Sequence, residues 1–416
     1  MNKIKVGVFG CSVRGKSIAG NFDRQGCDIV AACDFTDDER KKAFLEVVGD
    51  GCKWYDSFDE FIKQDMDVVV LTNFAHEHAS YAITCLEKGI HVFSECLSNG
   101  TMAEGVALIR AAEKSDAIYM LAENYPQMLF NIEMQRVCEG GTLGKILYAE
   151  GEYNHPGDYY DVSDVKRLTD SVNHWRNFLP RSYYITHSLG PLMKATGATP
   201  KKVNAFAAFA PLPSDAPTAS HVGERAAVVT TLNDDDSIYK VTGCASYGGH
   251  HNSYRICGTE GQIENLRGMG GKVMLRYNEW SKPEGKEADN LYDPEWNDKD
   301  EAEIVKSGHG GADYVTVRMF LDCLRENRQP EHPFDVHSAV TMSSVAILAH
   351  RSVLENGKTF DIPDFHLEEC RKQYENDTLT PFFGTDGSKP TLPCCSTDPN
   401  FEPSLTQVEN FKKILK

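Results

Sequence analysis

The sequence predicts an α/β chain in two parts, a doubly wound domain followed by an α+β domain with a large, mostly antiparallel sheet. Three observations predict it. Short β-branched runs alternate with helical periodicity up to residue 124, the pattern of parallel strands joined by crossover helices. A glycine-bearing turn, "GCSVRG", follows the first run directly. Past Tyr125 the apolar spacing becomes alternating, as in strands with one covered face.

Taken in order, "KIKVGVF", "DIVAAC", "DVVVLT", "IHVFS" and "IYMLA" are near-continuous apolar runs, as buried parallel strands require. Between them "SFDEFIKQ", "HASYAITCLEKG" and "MAEGVALIRAAEKS" carry helical spacing. "PQMLFNIEMQRVCEGGTLG" reads as a helix ended by glycines, and "KILYAEGEYNH" as an alternating strand. "VNAFAAF", "RAAVVTTLN", "SIYKVTGCASY", "SYRICGTEGQIENL" and "KVMLRY" supply the rest of the second sheet. The Pro/Ser-rich segment 211–223 and the charged segment 281–308 read as surface loops. "YVTVRMFLDCLRE" and "DVHSAVTMSSVAILAHRSVLENG" are helices. The expected division is residues 1–124, 125–365 and a C-terminal extension 366–416. In that extension Phe382–Phe383 and the "VENFKKILK" end are suited to docking on a neighbouring surface.

Composition narrows the function. A chain of 416 residues exceeds one ordinary core, and 41% apolar with 25% charged residues is globular. No apolar run approaches a membrane span. The start "MNKIKVGVFG" enters a strand at once, with no signal-peptide pattern. Thirteen cysteines, an odd number without CxxC spacing, read as reduced thiols in a cytoplasm. A net charge of −18 argues against a nucleic-acid partner and is silent on a neutral small substrate.

In "VGVFGCSVRGKS", Gly10, Ser12 and Gly15 fall on G-x-G-x-x-G spacing, with serine in the middle position. Gly10 permits the tight turn, and Gly15 lets helix and strand pack closely. Ser12 is small enough for the backbone to approach a pyrophosphate at the helix N-terminus. Asp34 ends the second strand, 19 residues after Gly15, where a carboxylate meets the ribose hydroxyls. It would repel a 2′-phosphate, which favours NAD over NADP, while Arg40 and Lys41 nearby pull the other way. The competing reading is a glycine turn that binds nothing.

Tyr184 and His187 stand three apart in "RSYYITHSLGPLM", a segment with little charge ahead of a Gly-Pro pair. Positions i and i+3 share a helical face. The two are a proton-handling pair, or an aromatic and a histidine packed into a core. Spacing alone leaves both open.

Through "GCSVRGKS", Asp34, "LTNFAHEHASYAITCLEKGIHVFSE", "GGTLGKI", "GTEG" (258–261) and "IPDF" (362–365), the chain resembles the Gfo/Idh/MocA oxidoreductases over residues 3–365. The resemblance implies NAD as cofactor, held by Gly10, Ser12, Arg14, Gly15, Asp34, Thr72, His78 and Glu95. It also implies a sugar-sized substrate over the second sheet and a homodimer or homotetramer whose partner subunit covers that sheet's open face. His78 matches the family's histidine by its distance to Glu95, with one extra residue between Thr72 and His78. The family's common Glu-Lys-Pro reads Glu95-Cys96-Leu97 here, so the lysine near the reacting hydroxyl is missing. A thiol of ordinary pKa, about 8.5, supplies no fixed cation. Cys96 reads as a packing thiol, with a nucleophile as the alternative. "ENYP", "YAEGEYNH", "HWR", "YITHSLGP" and "GHGGADY" look most like one branch, the NAD-dependent glycosidases typified by α-N-acetylgalactosaminidase. Members of that branch lack the lysine and carry Tyr-x-x-His before Gly-Pro. This resemblance makes Tyr184 and His187 the catalytic pair and Glu123, His155, Arg176 and His309 substrate contacts.

The chemistry explains the need for these groups. Removing hydride from a carbinol carbon requires a base for the hydroxyl proton. Histidine titrates near working pH, and tyrosine needs a neighbouring cation or histidine. A ketone at C3 of a pyranose acidifies the C2 proton, so the anomeric group can leave and water can add. No carboxylate pair is spaced for the alternative glycosidase route. Three outcomes stay open: a redox glycosidase, a net sugar dehydrogenase, and a non-catalytic NAD- or sugar-binding sensor. His250 and His251 could chelate a metal, but neighbours on a strand face opposite sides. No metal site is therefore expected, and His250 is assigned to the sugar pocket.

Overall fold

The computed structural model describes residues 3–35, 38–49, 51–384 and 386–416. The first sheet holds β1 (Lys5–Phe9), β2 (Asp28–Cys33), β3 (Lys53–Tyr55), β4 (Val68–Leu71), β5 (His91–Ser94) and β6 (Tyr119–Leu121). Their order is β3-β2-β1-β4-β5-β6, all parallel. Every residue of β4 is buried because helices cover both faces, which is why these strands read as unbroken apolar runs. The edge strand β3 carried no sequence signal; three residues are too few to show a period.

The second sheet has nine strands: β7 (Ile146–Asn154), β8 (Pro200–Phe209), β9 (Glu224–Asn233), β10 (Ile238–Ala245), β11 (His251–Gly258), β12 (Gly261–Asn265), β13 (Val273–Tyr277), β14 (Asp289–Tyr292) and β15 (Phe360–Asp361). Their order is β14-β13-β12-β11-β7-β10-β9-β8-β15. All pairs are antiparallel except β7 with β10. Segment 281–308 corrects the loop assignment: it contributes β14 and the short helix Glu301–Ile304. β14 is a polar edge strand held by charge, with Arg276 Nε donating to Asp289 at 2.8 Å, so it shows no apolar alternation. Among the described residues no helix is long and apolar enough to cross a membrane.

The helices Thr186–Thr196 and Val336–Leu354 pack on one face of this sheet. Glycine sets how closely. A Cβ at Gly151 would lie 2.1 Å from the Ser188 carbonyl, and one at Gly243 would lie 2.4 Å from that of Arg181. These residues are near neighbours on β7 and β10, so segment 181–188 rests directly on the sheet backbone. On the other face Phe206, Val228, Leu232 and Ile238 are exposed.

The C-terminal extension folds back over its own chain. Arg351 makes a bidentate ion pair with Asp377 at 2.5 and 2.7 Å. The helix Leu405–Ile414 starts with a Ser404/Gln407 capping box and buries Phe411. Gln407 and Ser404 donate to the carbonyls of Pro213 and Ser214. The Phe382–Phe383 pair docks as well, against the surface described below.

Candidate active site

At the C-terminal edge of the first sheet, Gly10 has φ +95° and turns the chain from β1 into the helix Val13–Arg24. A Cβ at Gly15 would meet the Gly10 carbonyl at 1.9 Å, so only glycine lets helix and strand meet there. Thr72 Oγ1 donates to that same carbonyl at 2.5 Å and locks the turn. Ser12 does not cap the helix, and no acidic residue sits in its first turn. The first-turn amides are thus open to an anion, as a pyrophosphate requires. Asp34 is buried at the end of β2 and accepts from the Cys11 amide at 2.6 Å. Burial raises its carboxyl above the ordinary value, opposed by that amide. The turn, the open helix end and the carboxylate fit a dinucleotide.

Three residues expected at the cofactor have protein partners of their own here. His78 is buried, with Nδ1 2.8 Å from the Leu97 carbonyl and Nε2 3.3 Å from that of Asn73. Burial keeps the ring neutral, with one N–H, and it sits between the loops after β4 and β5. Arg14 and Glu95 pair with each other at 2.5 Å, and Arg14 Nη1 also reaches Asp313 at 2.8 Å. Their charges join the glycine turn to the start of the helix Ala312–Glu326, where they were expected to contact the dinucleotide separately.

The centre of the site lies where this edge meets segment 181–187. Tyr184 ends a 3₁₀ turn, Arg181–Tyr184, and His187 sits in the first turn of the next helix. They do not share one helical turn as the spacing suggested, yet their rings meet edge to face at 5.3 Å. Glu123, expected at the substrate, lies behind His187. It is fully buried, and its carboxylate lies 2.8 and 3.0 Å from His187 Nδ1. It also accepts from the Tyr125 amide at 3.1 Å and the Cys96 thiol at 3.2 Å. It has no exposed surface and holds the His187 ring. Burial alone would raise the Glu123 carboxyl; His187, Thr186 and Cys96 outweigh burial and hold it below the ordinary value.

An ionised carboxylate can only accept, so the His187 Nδ1 that faces Glu123 is the donor. Tyr125 stacks on the imidazole at 4.0 Å and 11°, and Tyr153 meets it edge-on at 5.0 Å. Burial pushes the Tyr184 phenol up to about 12, against the nearby positive charge of Arg176. In the resting protein the Tyr184 phenol therefore keeps its proton, beside the His187 ring. Burial, then Glu123 and Glu95, push the Cys96 thiol well up, so it is no thiolate at neutral pH. Glu95, Cys96, Leu97, Tyr184 and His187 border a cavity of about 40 Å³ between the two sheets.

Beyond Tyr153, whose ring is 5.8 Å from that of His155, His155 and His250 approach ring to ring at 4.6 Å. His251 turns away to Glu152, 2.8 Å off. The adjacent histidines therefore do not converge on one point, and among the described residues no group of three or more His, Cys, Asp or Glu could hold a metal. Arg176 lies over the Trp175 ring at 4.5 Å. His309, at the opposite wall, bonds Asp313 at 3.0 Å and sits 5.9 Å from the Tyr125 ring. Asp313 also accepts from Asn124 at 2.7 Å. Sequence reading quoted Tyr125 and Tyr153 inside "ENYP" and "YAEGEYNH" without singling them out, because a tyrosine in an apolar run looks like core.

Residues 4–123 match the model of an oxidoreductase family with an NAD-binding Rossmann fold. Residues 249–371 match the C-terminal domain of glycosyl hydrolase 109. A glycosyl hydrolase family 109 protein of Streptomyces niveus is 25% identical, covering 94% of this chain and 81% of its own. One of Shewanella putrefaciens is 24% identical, covering 88% and 85%. The fold is shared with levoglucosan dehydrogenase, solved with NADH and levoglucosan. Its TM-score is 0.72 at 15% identity, over 87% of this chain and 100% of that one.

Proposed function

On the premise that the chain belongs to the Gfo/Idh/MocA oxidoreductases and carries the glycosyl hydrolase 109 C-terminal domain, we propose that it acts on a glycoside by redox chemistry at C3 of the pyranose, with loss of the anomeric group. NAD, when bound at the glycine turn and Asp34, supplies the hydride acceptor and donor.

One observation carries the reading: a histidine fixed by a fully buried carboxylate, its ring edge to face with a tyrosine, where the two sheets meet. His187 Nε2 takes the hydroxyl proton, directly or through Tyr184, and Glu123 stabilises the imidazolium that forms. Tyr125 and Tyr153 keep the ring in plane. Arg176, His155 and His250 on one side and His309 on the other stand where ring hydroxyls would be held. With C3 oxidised, the C2 proton is acidic enough for a base of this strength to remove. The names of the family 109 relatives and of the sugar-oxidising structural neighbour support a carbohydrate substrate. The exposed apolar strip of Phe206, Val228, Leu232 and Ile238 supports a second copy on the far sheet face.

The test is a panel of aryl glycosides with purified protein, with and without added NAD, scored by aglycone release and by absorbance at 340 nm. Release that depends on NAD supports the reading. Release that ignores NAD, after bound cofactor has been stripped, overturns it.

A further inference from the structure

The C-terminal extension reaches the reaction cavity. It is tied to the first domain where the Ala103 amide donates to the Asp377 carbonyl at 2.9 Å, and to the second through the Arg351–Asp377 pair. Farther along, His350 Nε2 meets the Pro393 carbonyl at 2.8 Å, and Cys394 donates to the His221 carbonyl at 3.3 Å. Between these anchors Phe382 is 2% exposed. Its ring lies 4.9 Å from His76 and meets Tyr183 at 5.2 Å and 90°. Phe383 packs on Phe178 at 5.0 Å, and its carbonyl sits 3.1 Å from His76 Nε2. Burial pushes His76 down to about 4, so this is a neutral contact at working pH.

Phe382 also lines the cavity that Tyr184 and His187 border, along with Ala75, Leu97, Trp175 and Leu179. The match to the glycosyl hydrolase 109 C-terminal domain stops at residue 371, so this wall lies outside it. Apolar walls on one side and the acid–base pair on the other make a pocket for an apolar-ended substituent on a carbon next to the reacting one. The space is about 40 Å³, room for a small group.

We propose that Phe382 is a specificity-determining residue, a wall supplied by the C-terminal extension that limits the size of the sugar substituent entering beside Tyr184 and His187. This rests on the carbohydrate reading above. The ring packs between His76 and Tyr183, which line the same cavity, so a longer substituent meets a packed surface.

The experiment is calorimetric titration of the NAD-loaded protein with methyl gluco- and galactopyranosides carrying an O-methyl or an O-pentyl ether at C2 or at C4. Wild type is expected to bind the methyl ether at least about ten-fold more tightly than the pentyl ether in one of these series. Phe382→Ala should narrow that gap to under about three-fold, and Phe382→Leu should fall between, with NAD affinity unchanged in both. An unchanged gap in Phe382→Ala overturns the proposal, as does an equal loss for both ethers or no binding of either. Turnover, followed at 340 nm, is scored separately. A gap that relaxes without any hydride transfer leaves the wall standing and sinks the redox reading.

Discussion

Removing His187 should strand a buried charge. The Glu123 carboxylate has no exposure and depends on His187 Nδ1, the Tyr125 amide and the Cys96 thiol. In His187→Ala burial is no longer outweighed, and breaking such a pair costs about 3–5 kcal/mol. Glu123→Gln keeps the shape and an accepting oxygen, so its cost is about 1–3 kcal/mol. The double variant should recover roughly 2 kcal/mol of the His187→Ala loss, within the range for coupled neighbours. The pH dependence reverses sign. In wild type the Glu123 carboxyl lies below its ordinary value. Its contribution is therefore present above the unfolded value, about 4.3, and fades as pH falls through the folded one. In His187→Ala the folded value rises above the unfolded one. The penalty is then largest at neutral pH and shrinks on acidification, by up to about 1.4 kcal/mol per pH unit. Urea unfolding followed by circular dichroism at pH 5, 6, 7 and 8 reads this directly. A His187→Ala curve parallel to wild type at all four, or a cost under about 1 kcal/mol, would refute the buried pair.

Asp34 should make the protein prefer NAD to NADP in fluorescence titrations, and Asp34→Ala should narrow the difference; equal wild-type affinities contradict the assignment. Tyr184→Phe should lower turnover by roughly 10²-fold or more, the size of a lost acid–base group, with the melting temperature retained. Cys96→Ser should be mild, because its thiol donates to Glu123 and a hydroxyl can do the same. Light scattering at micromolar concentration should give a dimer or tetramer, since Phe206, Val228, Leu232 and Ile238 would otherwise stay in water; a monomer rejects the second copy.

The first sheet was legible in the sequence because its strands are buried on both faces and the glycine turn has a fixed spacing. β3 and β14 were not, one being too short and the other polar along a charged edge. Tyr184 and His187 were singled out through motif resemblance, and the packing of their segment on the sheet depends on Gly151 and Gly243, which lie far off in sequence. The same distance hid Glu123. A glutamate in "ENYP" looks like a hydroxyl ligand until helix Thr186–Thr196 brings His187 against it. The local partners of His78 and Arg14 were not legible, because a match to a family position says nothing about which carbonyls or carboxylates lie beside them. Phe382 was visible as part of an apolar pair, but its place beside the reaction cavity follows from long-range wrapping that no local pattern encodes.

The central claim is that the bond is broken through oxidation and elimination. It is tested most directly by cleaving an aryl glycoside in D₂O and reading the product sugar by NMR and mass spectrometry. The account predicts aglycone release with no net accumulation of NADH and deuterium at C2, because that proton leaves to a base and returns from solvent. Cleavage with C2 fully protiated would contradict it, as would stoichiometric NADH with the glycosidic bond intact.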